Sequence, residues 1–136
     1  MKKLLIGSVA LVTFGFADGY TQADRILDMQ KMAQAMQDIQ AGLFYNNDDI
    51  VKAGAKDLKE TIVKVVSTEE EVNNKDIYER WINNNTAMTK RTQRKIKKYA
   101  EVIVKRFSDG DATQALQVYS KISSECMKCH VSLTKW

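Results

Sequence analysis

Both cysteines and the one histidine of this 136-residue chain fall within five residues near its end, as Cys126-Met127-Lys128-Cys129-His130. Cys-x-x-Cys-His is the attachment pattern of a c-type haem. Two thiols at that spacing add to the two vinyl groups of a haem, and an imidazole directly after the second thiol reaches the iron from one side. His130 has no rival as that ligand, because no second histidine exists. Three other chemistries use paired cysteines. A thioredoxin-like dithiol opens a helix after a strand, whereas this pair lies near the end of a helical pattern. A zinc site needs four ligands, and no further Cys or His is present to complete one. A simple disulfide leaves His130 unexplained.

The elements that must position this motif read as four amphipathic helices. The first is predicted from about Thr21 to Tyr45, with Thr21 as N-cap and Asp24 completing an approximate capping box. Ile26, Met29, Met32, Met36, Ile39 and Leu43 follow at spacings of three or four, one helical stripe. The second runs from about Asp49 to Val66, capped by Asn47 or Asp48, with a seam of Val51, Ala55, Leu58, Ile62 and Val65. Ser67 to Lys75 reads as a polar connection in which Thr68 and Glu71 cap a short extra turn. The third is long, from about Asp76 to Phe107, carrying Ile77, Trp81, Met88, Ile96, Tyr99, Ile103 and Phe107. Asn83-Asn84-Asn85 interrupts its stripe, and Gly110 ends it in a left-handed conformation. The fourth starts at Asp111 with Gln114 at the capping-box position and carries Ala115, Tyr119, Ile122, Cys126, Cys129 and Leu133. The expected fold is all-α, an antiparallel up-down four-helix bundle with covalently bound haem.

Composition agrees. Proline is absent, and runs of Val, Ile and Thr that would build a sheet are missing. Residues 1–17 read as an export signal: Lys2 and Lys3 lead, Leu4 to Phe16 is apolar but short for a bilayer span, and Gly15-Phe16-Ala17 offers small residues for cleavage. Residues 18–136 are then one domain, expected in the periplasm, and no other apolar run resembles a membrane span. Lys2 and Lys3 are the only charges in the signal, so the formal net charge of +4 falls to +2 once they are removed. That is too mild to argue for nucleic acid.

A haem motif on the last helix of an exported bundle, rather than near the N-terminus, resembles the class II c-type cytochromes. That family includes cytochrome c prime and its low-spin, methionine-ligated relatives, which this chain resembles more. The resemblance covers the mature chain and rests on architecture and on Cys126, Cys129 and His130. It implies one covalently attached haem (heme c) beside the first part of the first helix. It further implies an arginine four residues before the position facing the iron, here Arg25 before Met29, and Met29 as sixth ligand. The family tends to place an aromatic three residues after the histidine and a base next; this chain has Leu133 and Thr134, with Lys135 one place late. Read without the resemblance, Met29, Met32 and Met36 share one helix face, and such a stripe is more often core filling; Met32 is a second candidate ligand.

The expected function is periplasmic electron transfer between redox proteins, with no substrate turned over and hence no enzyme activity. The alternative is a five-coordinate cytochrome c prime that binds nitric oxide or carbon monoxide over an open distal face. A haem-free helical thiol protein is the third reading. Topology places Trp81, Ile77 and Val65 near the haem, with ordinary core packing the competing role for Trp81. The basic run Lys90-Arg91, Arg94-Lys95, Lys97-Lys98 reads as a solvated face or a patch that steers an acidic partner, and is expected away from the haem. Relatives often form homodimers through the first two helices, to which Leu43, Phe44 and Tyr45 are candidates to contribute.

Overall fold

The computed structural model describes residues 19–73, 75–77 and 86–133. It contains α1 (Gln22–Phe44), α2 (Asp48–Ile62), the one-turn α3 (Glu69–Val72), α4 (Thr86–Ser108) and α5 (Ala112–Leu133), with no strand among the described residues. The export signal and residues 78–85 of the predicted third helix, with Trp81, Asn84 and Asn85, lie outside the described residues.

Helix starts follow the local chemistry. Thr21 and Asp24 form a reciprocal capping box, Asn47 accepts from the Ile50 amide at 3.1 Å, and Asp111 accepts from the Gln114 amide at 3.0 Å. Thr68 and Glu71 cap α3 reciprocally, through amide bonds of 2.9 and 3.3 Å. After α4, Gly110 takes φ +84°, and the Asp111 and Gly110 amides return to the carbonyls of Arg106 and Phe107. This is a Schellman ending, which needs a residue at ease in the left-handed region. Asn46, at φ 52°, plays that part after α1.

Two elements differ from expectation. α2 stops at Ile62, four residues early. There Gln93 of α4 donates from Nε2 to the carbonyls of Ile62 at 3.1 Å and Val65 at 2.8 Å. One side chain thus reaches two carbonyls at the helix end, of which Ile62's also accepts from the Val65 amide at 3.4 Å. On α1 the buried line is Asp28, Met32, Ala35, Ile39 and Gly42, turned by about one residue from the predicted stripe. Met29, Met36 and Leu43 are partly buried beside it, and Ile26 is half-exposed.

The helices pack in the cyclic order α1, α2, α4, α5, and α1 and α5 touch least. The seam predicted for α2 is buried in full, joined by Ile96, Ala100, Ile103 and Phe107 of α4 and Ala115, Val118 and Ile122 of α5. α1 and α2 approach so closely that a Cβ on Gly54 would stand 2.8 Å from the Ala35 carbonyl oxygen, and one on Gly42 2.7 Å from Val51. Phe44 and Tyr45 lie on the surface, at 69% and 75% exposure.

Candidate functional site

The motif sits on the last two turns of α5, where helical spacing turns Cys126, Cys129 and His130 to the interior side. Cys129 is buried and Cys126 half-buried, and the two are not bridged. Burial pushes the Cys126 thiol up to about 11, with help from Cys129, and burial also raises Cys129. Both stay protonated at neutral pH. A dithiol redox site needs the reverse, a thiol stabilised as thiolate. Among the described residues, no three His, Cys, Asp or Glu side chains converge as metal ligands.

Opposite the motif stands Met29 of α1. Its Sδ lies 3.4 Å from His130 Nε2, a contact between residues 101 apart in sequence. The two side chains meet across one cleft, which Met32 of α1 and Cys126 and Cys129 of α5 also line. Ile62 and Val65 wall it from the end of α2, and Thr89, Thr92, Gln93 and Ile96 from α4. The space between these walls is about 30 Å³, room for a water or two.

The donor set fits a covalently held haem. Two thiols at the right spacing, an imidazole and a thioether from the opposite helix all face one apolar cleft. A first-row metal between an imidazole nitrogen and a sulfur needs about 4.3 Å, from bonds of about 2.0 and 2.3 Å. The donors are about 1 Å closer than that, and a space of about 30 Å³ is too small for a porphyrin. Seating the group therefore requires α1 and α5 to part, and theirs is the sparsest contact between neighbouring long helices. Near the motif and Met29 in sequence, Ile26 on α1 and Met127 and Val131 on α5 are exposed, at 50%, 53% and 65%.

Charged groups brace the frame. Arg25 donates to both carboxylate oxygens of Glu71, at 2.7 and 2.6 Å, and to Gln22. This bidentate pair, one turn before Met29, ties the start of α1 to α3. Burial alone would raise the Glu71 carboxyl, but Arg25 and the Thr68 bonds outweigh it and hold it below its ordinary value. Asp28 is buried beside Met29 and accepts from the Tyr20 hydroxyl at 3.2 Å. Glu125, buried just before Cys126, pairs with Lys95 of α4 at 2.8 Å and Lys128 at 3.2 Å. The bond from Lys95, the larger cause, holds the Glu125 carboxyl low.

The structure thus brings Met29, Met32, Cys126, Cys129, His130 and Val65 to one place and sets Arg25 one turn away. Ile77 does not join them; it is 73% exposed. The basic run is also placed differently from the expectation, since Thr89, Thr92, Gln93 and Ile96 of the same segment wall the cleft. The run lies at the level of the site, on the other side of α4. Glu71 was legible as a cap but not as the partner of Arg25, and nothing in the sequence marked Gln93 or Glu125. Among the described residues no helix is long and apolar enough to cross a membrane. Compared with protein-family models, with curated proteins and with solved structures, the chain finds no match.

Proposed function

We propose that this chain is a one-electron carrier, a c-type cytochrome of the class II kind working outside the cytoplasm. The observation that carries this is the 3.4 Å approach of Met29 Sδ to His130 Nε2 beside the paired cysteines. A bound haem would supply a one-electron iron couple, its potential raised by thioether ligation. Cys126 and Cys129 tether it to α5, His130 offers nitrogen from that helix, and Met29 offers sulfur from α1. Met32, Ile62, Val65 and Ile96 would surround the haem with apolar side chains. The pairs Arg25–Glu71 and Lys95–Glu125 hold the two donor-bearing helices in register with their neighbours. With one donor from each of two braced helices, the same side chains would hold the group in both redox states, and little would have to reorganise. Redox proteins are the partners, and no substrate is turned over. The leader at residues 1–17 supports export to the periplasm.

The test is the absorption spectrum of the matured protein, oxidised and reduced, with and without carbon monoxide. Sharp reduced bands, a weak sulfur-to-iron band at the red end of the oxidised spectrum and indifference to carbon monoxide are expected. Met29→Ala should abolish the sulfur band and admit carbon monoxide, while Met32→Ala should leave both unchanged. A wild-type protein that binds carbon monoxide directly would replace electron transfer with gas binding. A matured protein without haem absorption would overturn both.

A further inference from the structure

We propose that the outer face of α4 from Lys90 to Lys98 is the docking surface for an acidic redox protein. Between Thr86 and Ala100 α4 carries six bases and no acid. The formal net charge of the whole chain, +4, is smaller than the charge of this one segment. Lys95 turns to α5 and is neutralised by the buried Glu125. Lys90, Arg91, Arg94, Lys97 and Lys98 are exposed, and none of them forms an ion pair among the described residues.

An ordinary solvated helix face in this protein has another pattern. On α2, Lys52 pairs with Asp48 and Lys56 with Glu60 at helical spacing, and Lys59 takes Glu101 of α4. On α4, by contrast, Arg94 stands four residues from both Lys90 and Lys98 and three from both Arg91 and Lys97. Like charges at those spacings destabilise a helix. On α2, Lys52, Lys56 and Lys59 stand at the same like-charge spacings but each meets an acid; on α4 no acid among the described residues offsets the repulsion, over about 12 Å of helix axis. This is the segment whose inner side, Thr89, Thr92, Gln93 and Ile96, walls the cleft. A partner seated on the outer side is separated from the cleft by one helix, about 10 Å. A single-sign patch there speeds encounter and orients an acidic partner without a large apolar interface. The redox half of this inference rests on the function proposed above; the electrostatic half does not.

Two measurements on the full mature protein test it. The first is fluorescence anisotropy of a labelled polyglutamate peptide, which reads binding with or without haem. The second is the rate of oxidation of the reduced protein by hexacyanoferrate(III) at rising salt. Lys97→Glu with Lys98→Glu should weaken peptide binding and slow the low-salt oxidation by about tenfold each. The control Lys56→Glu with Lys121→Glu makes the same change in net charge elsewhere on the surface and should move both by less than about twofold. Arg91→Glu with Arg94→Glu is a second stripe variant should the first lose its helical circular dichroism. Equal losses in stripe and control variants would overturn the proposal, since only net charge would then matter. Tighter binding of a DNA duplex than of the peptide would overturn it in favour of nucleic acid. Stripe-dependent peptide binding by a protein without haem would sink the redox reading while leaving the acidic-partner surface standing.

Discussion

The tight approach of α1 and α2 makes a quantitative test. In an exposed helix, Gly→Ala stabilises by about 1 kcal/mol, because alanine loses less backbone entropy. At Gly54 the new Cβ would stand 2.8 Å from the Ala35 carbonyl oxygen, 2.9 Å from Ile39 Cγ1 and 3.0 Å from the Ile39 amide nitrogen. Ordinary contact begins at 3.4 Å, and two of the three atoms are backbone, so α1 as a whole must retreat by about 0.6 Å. Overpacking of this kind costs about 1–3 kcal/mol. The clash therefore wins, and Gly54→Ala should destabilise by about 1 kcal/mol net, lowering the melting temperature by roughly 3–6 °C. Gly42→Ala meets Val51 Cγ2 and the Val51 amide nitrogen at 2.7 Å. Both glycines depend on the same helix separation, so the double variant should lose less than the sum of the singles, by about 0.5 kcal/mol or more. Gly110→Ala is a control with strain from φ +84° but no neighbour within 4 Å, and its effect should add to either. Urea unfolding followed by circular dichroism measures all of these. A raised urea midpoint for Gly54→Ala would mean that helix propensity, not packing, decides this position, and that the helices are not in the contact described.

Other outcomes follow from the site and its frame. Glu71→Gln removes the charge from a carboxylate held by Arg25 and Thr68, and should cost about 1–3 kcal/mol at neutral pH. Because the folded Glu71 titrates below its ordinary value of 4.5, its contribution is present above that pH and lost as pH falls through the lower, folded value. The gap between wild type and Glu71→Gln should therefore close in acid; a gap that stays constant with pH would rule out the ion pair as its source. In chain that has not received haem, burial holds Cys126 up at about 11, so alkylation by iodoacetamide at pH 8 should be slow until urea exposes the thiols. In matured protein, mass spectrometry after urea should find neither cysteine alkylated, and two alkylated cysteines would exclude thioether attachment.

How much of this was legible depended on whether the signal was local. The caps at Thr21, Thr68 and Asp111 are contests between neighbouring backbone and side-chain groups and could be read directly; at the second helix Asn47 was one of two adjacent candidates. The α2 seam was equally plain because its apolar residues had no polar competitor. On α1 the apolar residues pointed to one line, yet the buried line includes Asp28 and Gly42 and leaves Ile26 half-exposed. A carboxylate satisfied by Tyr20 and a glycine selected by the closeness of α2 carry no hydrophobic signal. Residue type, spacing and the family resemblance pointed to Met29 and the motif, which the fold brings together across one cleft. The residues that brace them were not legible, because Arg25–Glu71 and Lys95–Glu125 join positions far apart in sequence, and only the packing order of the helices brings them together. The basic run was misplaced for the same reason: its identity is local, but its level along the bundle is set by which residues of α4 meet α2 and α5.

The meeting of Met29 with His130 also bears on the order in which the chain organises. It closes a loop of about one hundred residues, among the costliest closures in entropy that this chain can make. Turns such as the one from α1 into α2 close within a few residues and need no such investment. Local hairpins should therefore assemble early, and the first and last helices should join last. An arrangement that depends on that final union acts as a certificate of completed folding: a nascent, truncated or misassembled chain cannot present sulfur and imidazole to each other.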